Sequence, residues 1–259
     1  MPIIDVRNVS MNIPVYGMHS RSFRQVLFRR HTGGAILEDG TIFVKALVDV
    51  SFSAEKGERV ALIGHNGAGK TTMLRLLAGV YAPTSGEVAV QGRISALLNI
   101  GLGMDLEANG YENIMHVGLM LRMTADEIKS KMDEIAEFTE LGDYLNLPVR
   151  TYSSGMQLRL SFAIVTSIKP EVLLLDEGFG TGDARFTTRA QKRVNVLIES
   201  SHALVLATHS EDLAKQFCNR GLLLNEGCAV AFGPINEVFE TYRELVAREG
   251  RSAAAPFEK

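Results

Sequence analysis

The sequence is short of the features that mark several large protein classes. It has two cysteines in 259 residues, Cys218 and Cys228, with neither metal-ligand spacing nor the density of a disulfide scaffold, which fits a reduced compartment. No apolar run approaches the roughly 20 residues needed to cross a bilayer. The opening MPIIDVRNVS has no basic stretch leading into an apolar one, so no secretory leader is expected. A net charge of −3 gives no global reason to expect a nucleic-acid partner. No internal repeat and no low-complexity stretch stand out beyond the short tail RSAAAPFEK. What is present, 46% hydrophobic and 22% charged residues, is the balance of a globular protein that buries a proper core.

Three apolar runs read as buried parallel strands: RVALIG at 59–64, EVLLLDE at 171–177 and HALVLATHS at 202–210. Helical patterns follow each of them, the alternation of a parallel α/β sheet. LVDVSFSA and GEVAVQGRI alternate apolar with polar residues, as antiparallel strands with one wet face do, and GLLLNEGCAVAFG reads as a hairpin. Strand signals fade over 98–168. There Thr124 and Glu127 form a candidate capping box, and Ile128, Met132, Ile135 and Phe138 recur on one helical face. The expected organisation is a single domain over 1–259. It has an N-terminal strand and extension at 1–47, an α/β core from 48–97 and 169–233, a helical lobe at 98–168, and a C-terminal helix and tail at 234–259. Val238, Tyr242 and Leu245 mark one side of that last helix, expected near 235–248.

GHNGAGKTT matches the phosphate-binding loop: Gly64, four residues (His65, Asn66, Gly67, Ala68), then Gly69, Lys70 and Thr71, with Thr72 beginning the helix. Glycines let backbone amides close around phosphate oxygens, the lysine reaches the β- and γ-phosphates, and the Thr71 hydroxyl ligates Mg²⁺. The motif alone fits transporters, kinases, GTPases and helicases equally. Asp176 ends a buried strand, where it can hold the Mg²⁺ of such a site. Glu177 follows it and points differently, as a candidate general base for an attacking water. His209 ends another strand of the sheet, at the edge where ligands bind, and can sense a γ-phosphate.

A second phosphate-type helix start lies in TYSSGMQLRL at 151–160. One nucleotide does not easily rest its γ-phosphate on two distant helix starts in separate lobes. A second copy of the chain resolves this: the helix near Ser154 faces ATP held by the partner's loop, and two head-to-tail subunits enclose two ATP molecules until hydrolysis loosens them.

The order of P-loop, helical lobe, YSSGMQLRLSFA, LLLDE, GTGD and ATHS resembles the ATP-binding-cassette ATPases over about 48–233. The resemblance implies a P-loop (RecA-like) α/β core with an antiparallel β-subdomain and an inserted α-helical subdomain. It also implies ATP and Mg²⁺ as cofactors, ATP hydrolysis, and catalytic roles for Lys70, Glu177 and His209. The family's signature, LSGGQ, stands here as Tyr152, Ser153, Ser154, Gly155 and Met156, so Ser153, Ser154 and Gly155 are expected to contact ATP in trans. Arg159 matches an arginine common downstream, and Asp183 falls at the inter-subunit aspartate position. The departures YSSGM, LLNIGLGMDLEANGYENI and GFGTGD, with an extended segment at 16–45, resemble the polysaccharide-export branch. That branch drives export of O-antigen, capsule, teichoic acid or galactan chains.

The resemblance therefore implies a homodimer, peripheral at the cytoplasmic face of the inner membrane, beneath two copies of a separate integral membrane permease. Small-solute importers, drug exporters and soluble ATP-switched proteins of the superfamily are the rival readings. Asn99 stands nearest the family's usual glutamine. Tyr16 resembles the aromatic that stacks on adenine, with Phe43 as rival and plain packing as the alternative. Arg21, Arg24, Arg29 and Arg30 either approach anionic headgroups or form a solvated helix face, and Phe23 and Leu27 give that helix an apolar side. Leu102, Met104, Leu106 and Tyr111 are candidate linings of the groove that receives the membrane partner's coupling helix. The carbohydrate-binding β-domain that some relatives carry after the cassette is not expected here, because the chain ends soon after its last sheet signal.

Overall fold

A computed structural model describes residues 1–15, 35–38, 41–98, 103–176 and 184–253. They form two compact units, one from Met1–Gln91 with Ala203–Lys259, the other from Gly92–His202.

The first unit holds two sheets. Strands β1 (Ile4–Val15), β2 (Ala35–Glu38), β3 (Thr41–Ala54) and β5 (Ser85–Val90) make an antiparallel sheet in the order β2-β3-β1-β5. Alternation of buried Val50, Phe52 and Ala54 with exposed Asp49, Ser51 and Ser53 turns one face of β3 inward. Toward Leu47, also buried, the alternation slips, and the β1–β3 register shifts in the same stretch. Asn8 and Asp49 there take left-handed backbone, φ 48° and 50°, and the Asn8 side-chain amide donates to Asp49 Oδ1 at 2.9 Å. Short polar side chains tolerate that region best, and bulges of this kind bend a sheet.

In the other sheet β4 (Arg59–Ile63) lies between β8 (Ala203–Ala207) and β9 (Arg220–Asn225), parallel to both, and β10 (Cys228–Pro234) returns antiparallel to β9. Val60, Ala61, Leu62, Leu204 and Val205 are fully buried. That is why these runs show no alternation, since both faces are covered. Helix α1 (Lys70–Leu77) buries Met73, Leu74, Leu76 and Leu77. The C-terminal helix extends beyond the expected 235–248, to Ile235–Ala253, with Val238 and Phe239 buried and Tyr242 and Leu245 half-buried. Val238 occupies the space that a side chain on Gly221 would need.

The second unit pairs β6 (Ile94–Leu97) with β7 (Val172–Asp176) in parallel, Ile94 opposite Val172 and Leu97 opposite Leu175. This corrects one expectation. GEVAVQGRI is not one antiparallel strand: its first part is β5, and Ile94 begins β6 after a break at Gln91–Arg93. Helices α2 (Gly110–Met120), α3 (Ala125–Thr139), α4 (Ser154–Val165) and α5 (Ala184–Ser200) complete the unit.

The Thr124 and Glu127 capping box forms at α3, through Glu127 N to Thr124 Oγ1 at 3.2 Å and Thr124 N to Glu127 Oε2 at 2.8 Å. The Thr124 amide first, and Arg93 second, hold the Glu127 carboxyl below its ordinary range. Ile128, Ile135 and Phe138 are buried, as the spacing predicts, and Met132 is half-buried. Phe138, Phe162 and Phe186 pack with ring centroids 5.6–5.9 Å apart. Arg159, Arg189 and Arg193 lie over this cluster, and contacts of this kind contribute about 0.5–1 kcal/mol each at exposed sites.

Glu171 ties the two chain ends of this unit together. Its amide donates to Arg93 O at 2.8 Å, its carbonyl accepts from His202 N at 2.8 Å, and its carboxylate accepts from Arg93 N at 3.2 Å.

Candidate active site

The phosphate-type loop leaves β4 at Gly64, where φ is +146° and an added Cβ would lie 2.2 Å from Leu224 O and 3.0 Å from Ala68 Cβ. Only glycine fits that position. Gly69, φ +108°, is the N-cap of α1. It gives the first-turn amides no side-chain acceptor, and no acidic residue stands in that turn. A helix start without its own oxygen cap offers converging amides and the positive end of the helix dipole to an anion. Lys70 Nζ donates to Gly64 O at 2.5 Å and His65 O at 2.9 Å, which holds its ammonium across the loop. Thr71 and Thr72 are half-buried on the first turn.

The loop is braced by a hairpin that sequence reasoning did not connect with it. His65 Nε2 lies 2.8 Å from Asn225 Oδ1, His65 Nδ1 lies 2.7 Å from Asn66 O, and Gly227 N donates to Ala68 O at 3.2 Å.

His209 comes to the same sheet edge as the loop. Leu62 of β4 pairs with Ala207 of β8, so Gly64 and His209 each lie two residues beyond a matched pair. Thr208 N donates to Leu62 O at 3.3 Å, His209 is exposed, and Ser210 Oγ accepts from Leu213 N to cap the following helix.

In the second unit Asp176 ends β7, half-buried. Ser153 is the N-cap of α4, its Oγ accepting from Met156 N at 3.3 Å. Ser153, Ser154 and Gly155 are all exposed, and among the described residues beyond its chain neighbours and its own helix backbone, a Cβ on Gly155 would find no atom nearer than Ser153 Oγ at 3.9 Å. Tyr152 is buried; its hydroxyl donates to Tyr144 O at 2.7 Å and fits where Gly110 has no side chain. Burial pushes this phenol above the usual tyrosine range. Arg159 reaches Glu140 at 3.7 Å and stacks on Phe186, so it also anchors α4 within its own unit.

Among the groove candidates, Met104 is half-buried with its sulfur 3.3 Å from Ser161 Oγ, Tyr111 is half-buried, and Leu106 is exposed. Phe43 lies in β3 opposite Pro14. Tyr16, Arg21, Phe23, Arg24, Leu27, Arg29, Arg30, Asn99, Leu102, Glu177 and Asp183 lie outside the described residues.

The donor chemistry fits Mg²⁺. Thr71 of the first unit carries a hydroxyl and Asp176 of the second a carboxylate, each a hard oxygen, and among the described residues no cluster of three or more His, Cys, Asp or Glu offers an all-protein cage. Mg²⁺ characteristically takes oxygens of this kind, one or two carboxylates with substrate phosphates and water. Among the described residues no helix is long and apolar enough to cross a membrane.

Comparison with known proteins gives a family model described as ABC transporter, matching residues 47–180. The chain is 49% identical over 223 residues to the O-antigen export system ATP-binding protein RfbE of Yersinia enterocolitica, covering 85% of this chain and 93% of that protein. It is 37% identical over 243 residues to the teichoic acids export ATP-binding protein TagH of Bacillus cereus, covering 94% of this chain and 43% of that protein. It therefore spans under half the length of that second relative. Among solved structures it is similar to a dimeric post-hydrolysis state of an ATP-binding cassette bound to ADP and Pi. The TM-score is 0.63 at 20% identity, over 90% of this chain and 98% of that one. At that identity the likeness shows the fold, the one expected from the motifs.

Proposed function

The chain belongs to the ABC transporter family, and on that premise we propose that it is the ATP-hydrolysing subunit of an exporter of lipid-linked polysaccharide. Two copies work together, at the cytoplasmic face of the inner membrane, with a separate integral membrane permease. The observation that carries the ATPase reading is the loop between β4 and α1, a strand–glycine-loop–helix cradle whose Gly64 backbone admits no side chain. Similarity to O-antigen and teichoic acids export proteins supports the cargo class.

The reaction is ATP plus water to ADP and phosphate. Amides of residues 64–72 and the Lys70 ammonium take the β- and γ-phosphates, and charge that develops on those oxygens is met by donors already in position. Thr71 and Asp176 would hold Mg²⁺, which would screen the phosphate charge when bound. Glu177 accepts a proton from the water as its oxygen attacks the γ-phosphorus and the bond to the ADP oxygen breaks. His209 donates to the γ-phosphate. Ser153, Ser154 and Gly155 of one copy complete the site of the other through the exposed start of α4, and Asp183 links the two copies. Tyr16 stacks on adenine, Asn99 contributes to nucleotide binding in place of the family's usual glutamine, and Arg21, Arg24, Arg29 and Arg30 meet anionic headgroups.

The test is Glu177→Gln in the full chain. ATP binding is retained, a stable ATP-dependent dimer accumulates and turnover is lost; unchanged turnover removes the general-base role. Purification from detergent-solubilised membranes then tests the assembly. Co-purification of a polytopic membrane protein supports the export reading, and recovery only with ribosomes or DNA removes it.

A further inference from the structure

The loop 64–69 is buttressed at Gly64, His65 and Ala68 by one hairpin. Ile63 of β4 pairs with Leu223 of β9, and this parallel register carried forward sets Gly64 beside Leu224 and His65 beside Asn225. Leu224 O stands where a Gly64 side chain would be, Asn225 Oδ1 meets the His65 ring, and Gly227 N meets Ala68 O. Between β9 and β10 the chain turns on two left-handed residues, Glu226 at φ 48° and Gly227 at φ 80°. That is the tight two-residue geometry that matches strand twist. The turn is held from its far side too, since Val48 N of β3 donates to Gly227 O at 2.9 Å.

We infer that Asn225, through His65, is a positioning residue for the phosphate-binding loop: it holds the backbone of 65–68 in the shape that receives the nucleotide's phosphates before the nucleotide arrives. The chemistry of the pair favours a carboxamide. His65 Nδ1 faces the carbonyl of Asn66 and must donate to it, so the other ring nitrogen accepts when the ring is neutral and donates when it is charged. An asparagine side chain meets either case by turning its amide over. The functional gain is preorganisation. A glycine-rich loop loses much conformational freedom when it closes on a ligand, and ordering it beforehand moves that cost into folding.

This inference rests on the nucleotide reading above, and the experiment separates the two. In the full chain, affinities for fluorescent ATP and ADP analogues with Mg²⁺ are measured for wild type, His65→Ala, Asn225→Ala and the double variant, with melting temperatures beside them. One lost hydrogen bond predicts about a fivefold weakening in Asn225→Ala, and at least that in His65→Ala, which also loses the contact to Asn66 O, for both nucleotides. The double variant should be no weaker than the worse single one, because each substitution already breaks the same contact. Losses that multiply in the double variant, or no loss in Asn225→Ala, overturn the inference, as does a loss that only follows a fall in melting temperature. If Asn225→Ala does not fold, His65→Phe keeps the ring's bulk without its nitrogens and must show at least a fivefold loss; wild-type affinity there overturns the inference. Lys70→Ala is the control. Unchanged nucleotide binding in that variant sinks the nucleotide reading itself, whereas lost binding in Lys70→Ala with multiplying losses in the cycle sinks only the role of Asn225.

Discussion

Gly155→Ala separates what α4 needs to fold from what it needs to work. Gly155 is exposed at the second position of the helix, and a Cβ there stands 3.9 Å from its nearest neighbour, ordinary contact with one serine hydroxyl. Its φ does not lie in the left-handed region. Among the described residues nothing therefore resists alanine, and exchange of glycine for alanine in a helix contributes up to about 0.5–1 kcal/mol. For a chain of this size that corresponds to a melting temperature unchanged or raised by roughly 1–4 °C. If the start of α4 closes on the partner's γ-phosphate, the same methyl stands between amide and phosphate. A displacement of about 1 Å at a reacting centre costs on the order of 10²-fold in rate. The expected result is opposite signs: equal or higher stability, normal ATP binding by the subunit, and strongly reduced dimerisation and turnover. Dimerisation is read by size exclusion with ATP in the Glu177→Gln background, and turnover in the otherwise wild-type chain. Full dimerisation and turnover in Gly155→Ala would refute the argument that these residues are bare to admit a ligand.

Gly64→Ala should behave differently, because its Cβ meets Leu224 O at 2.2 Å within the subunit; both melting temperature and nucleotide affinity fall, and a wild-type melting curve would contradict the geometry. The Thr124–Glu127 capping box carries a pH signature. The folded Glu127 carboxyl titrates below its ordinary value of 4.5, so its stabilisation is present above that pH and is lost as pH falls through the lowered folded value. The stability gap between wild type and Glu127→Gln should hold constant from pH 6 to 8 by denaturant titration and close in acid; a gap that widens in acid contradicts it. Burial pushes the Cys218 thiol up to about 12, while Cys228 is exposed. Mass spectrometry after brief alkylation at pH 8 should find Cys228 modified and Cys218 untouched until the chain is unfolded.

The loop 64–72 was legible in the sequence because its glycines answer to local geometry: a strand, a turn that excludes side chains and a helix start all leave their mark within nine residues. The hairpin at 221–233 was legible for the same reason. That this hairpin braces the loop was not, because His65 and Asn225 are 160 residues apart and meet only through the β4–β9 register. GEVAVQGRI was misjudged since alternation reports one buried face and not the strand's partner. Val90 and Ile94 serve different sheets on either side of a break that carries a single glycine, Gly92. The capping box of Asn109 and Glu112 at α2 is legible in the same way, since it has the spacing of Thr124 and Glu127. The Tyr152 contacts had no local signal, because the hydroxyl's acceptor lies eight residues back in a short 3-10 helix.

Glu171 gives the second unit a closed neck. The chain goes in at Arg93 and comes out at His202, and both residues are bonded to the same glutamate. An insertion whose two ends are buttoned together transmits little of its internal length to the strands outside it, much as a loop tied at its base can be let out without moving the knot. Helices between residues 103 and 165 could therefore be lengthened, shortened or exchanged while the spacing from Gln91 to Ala203 stays fixed.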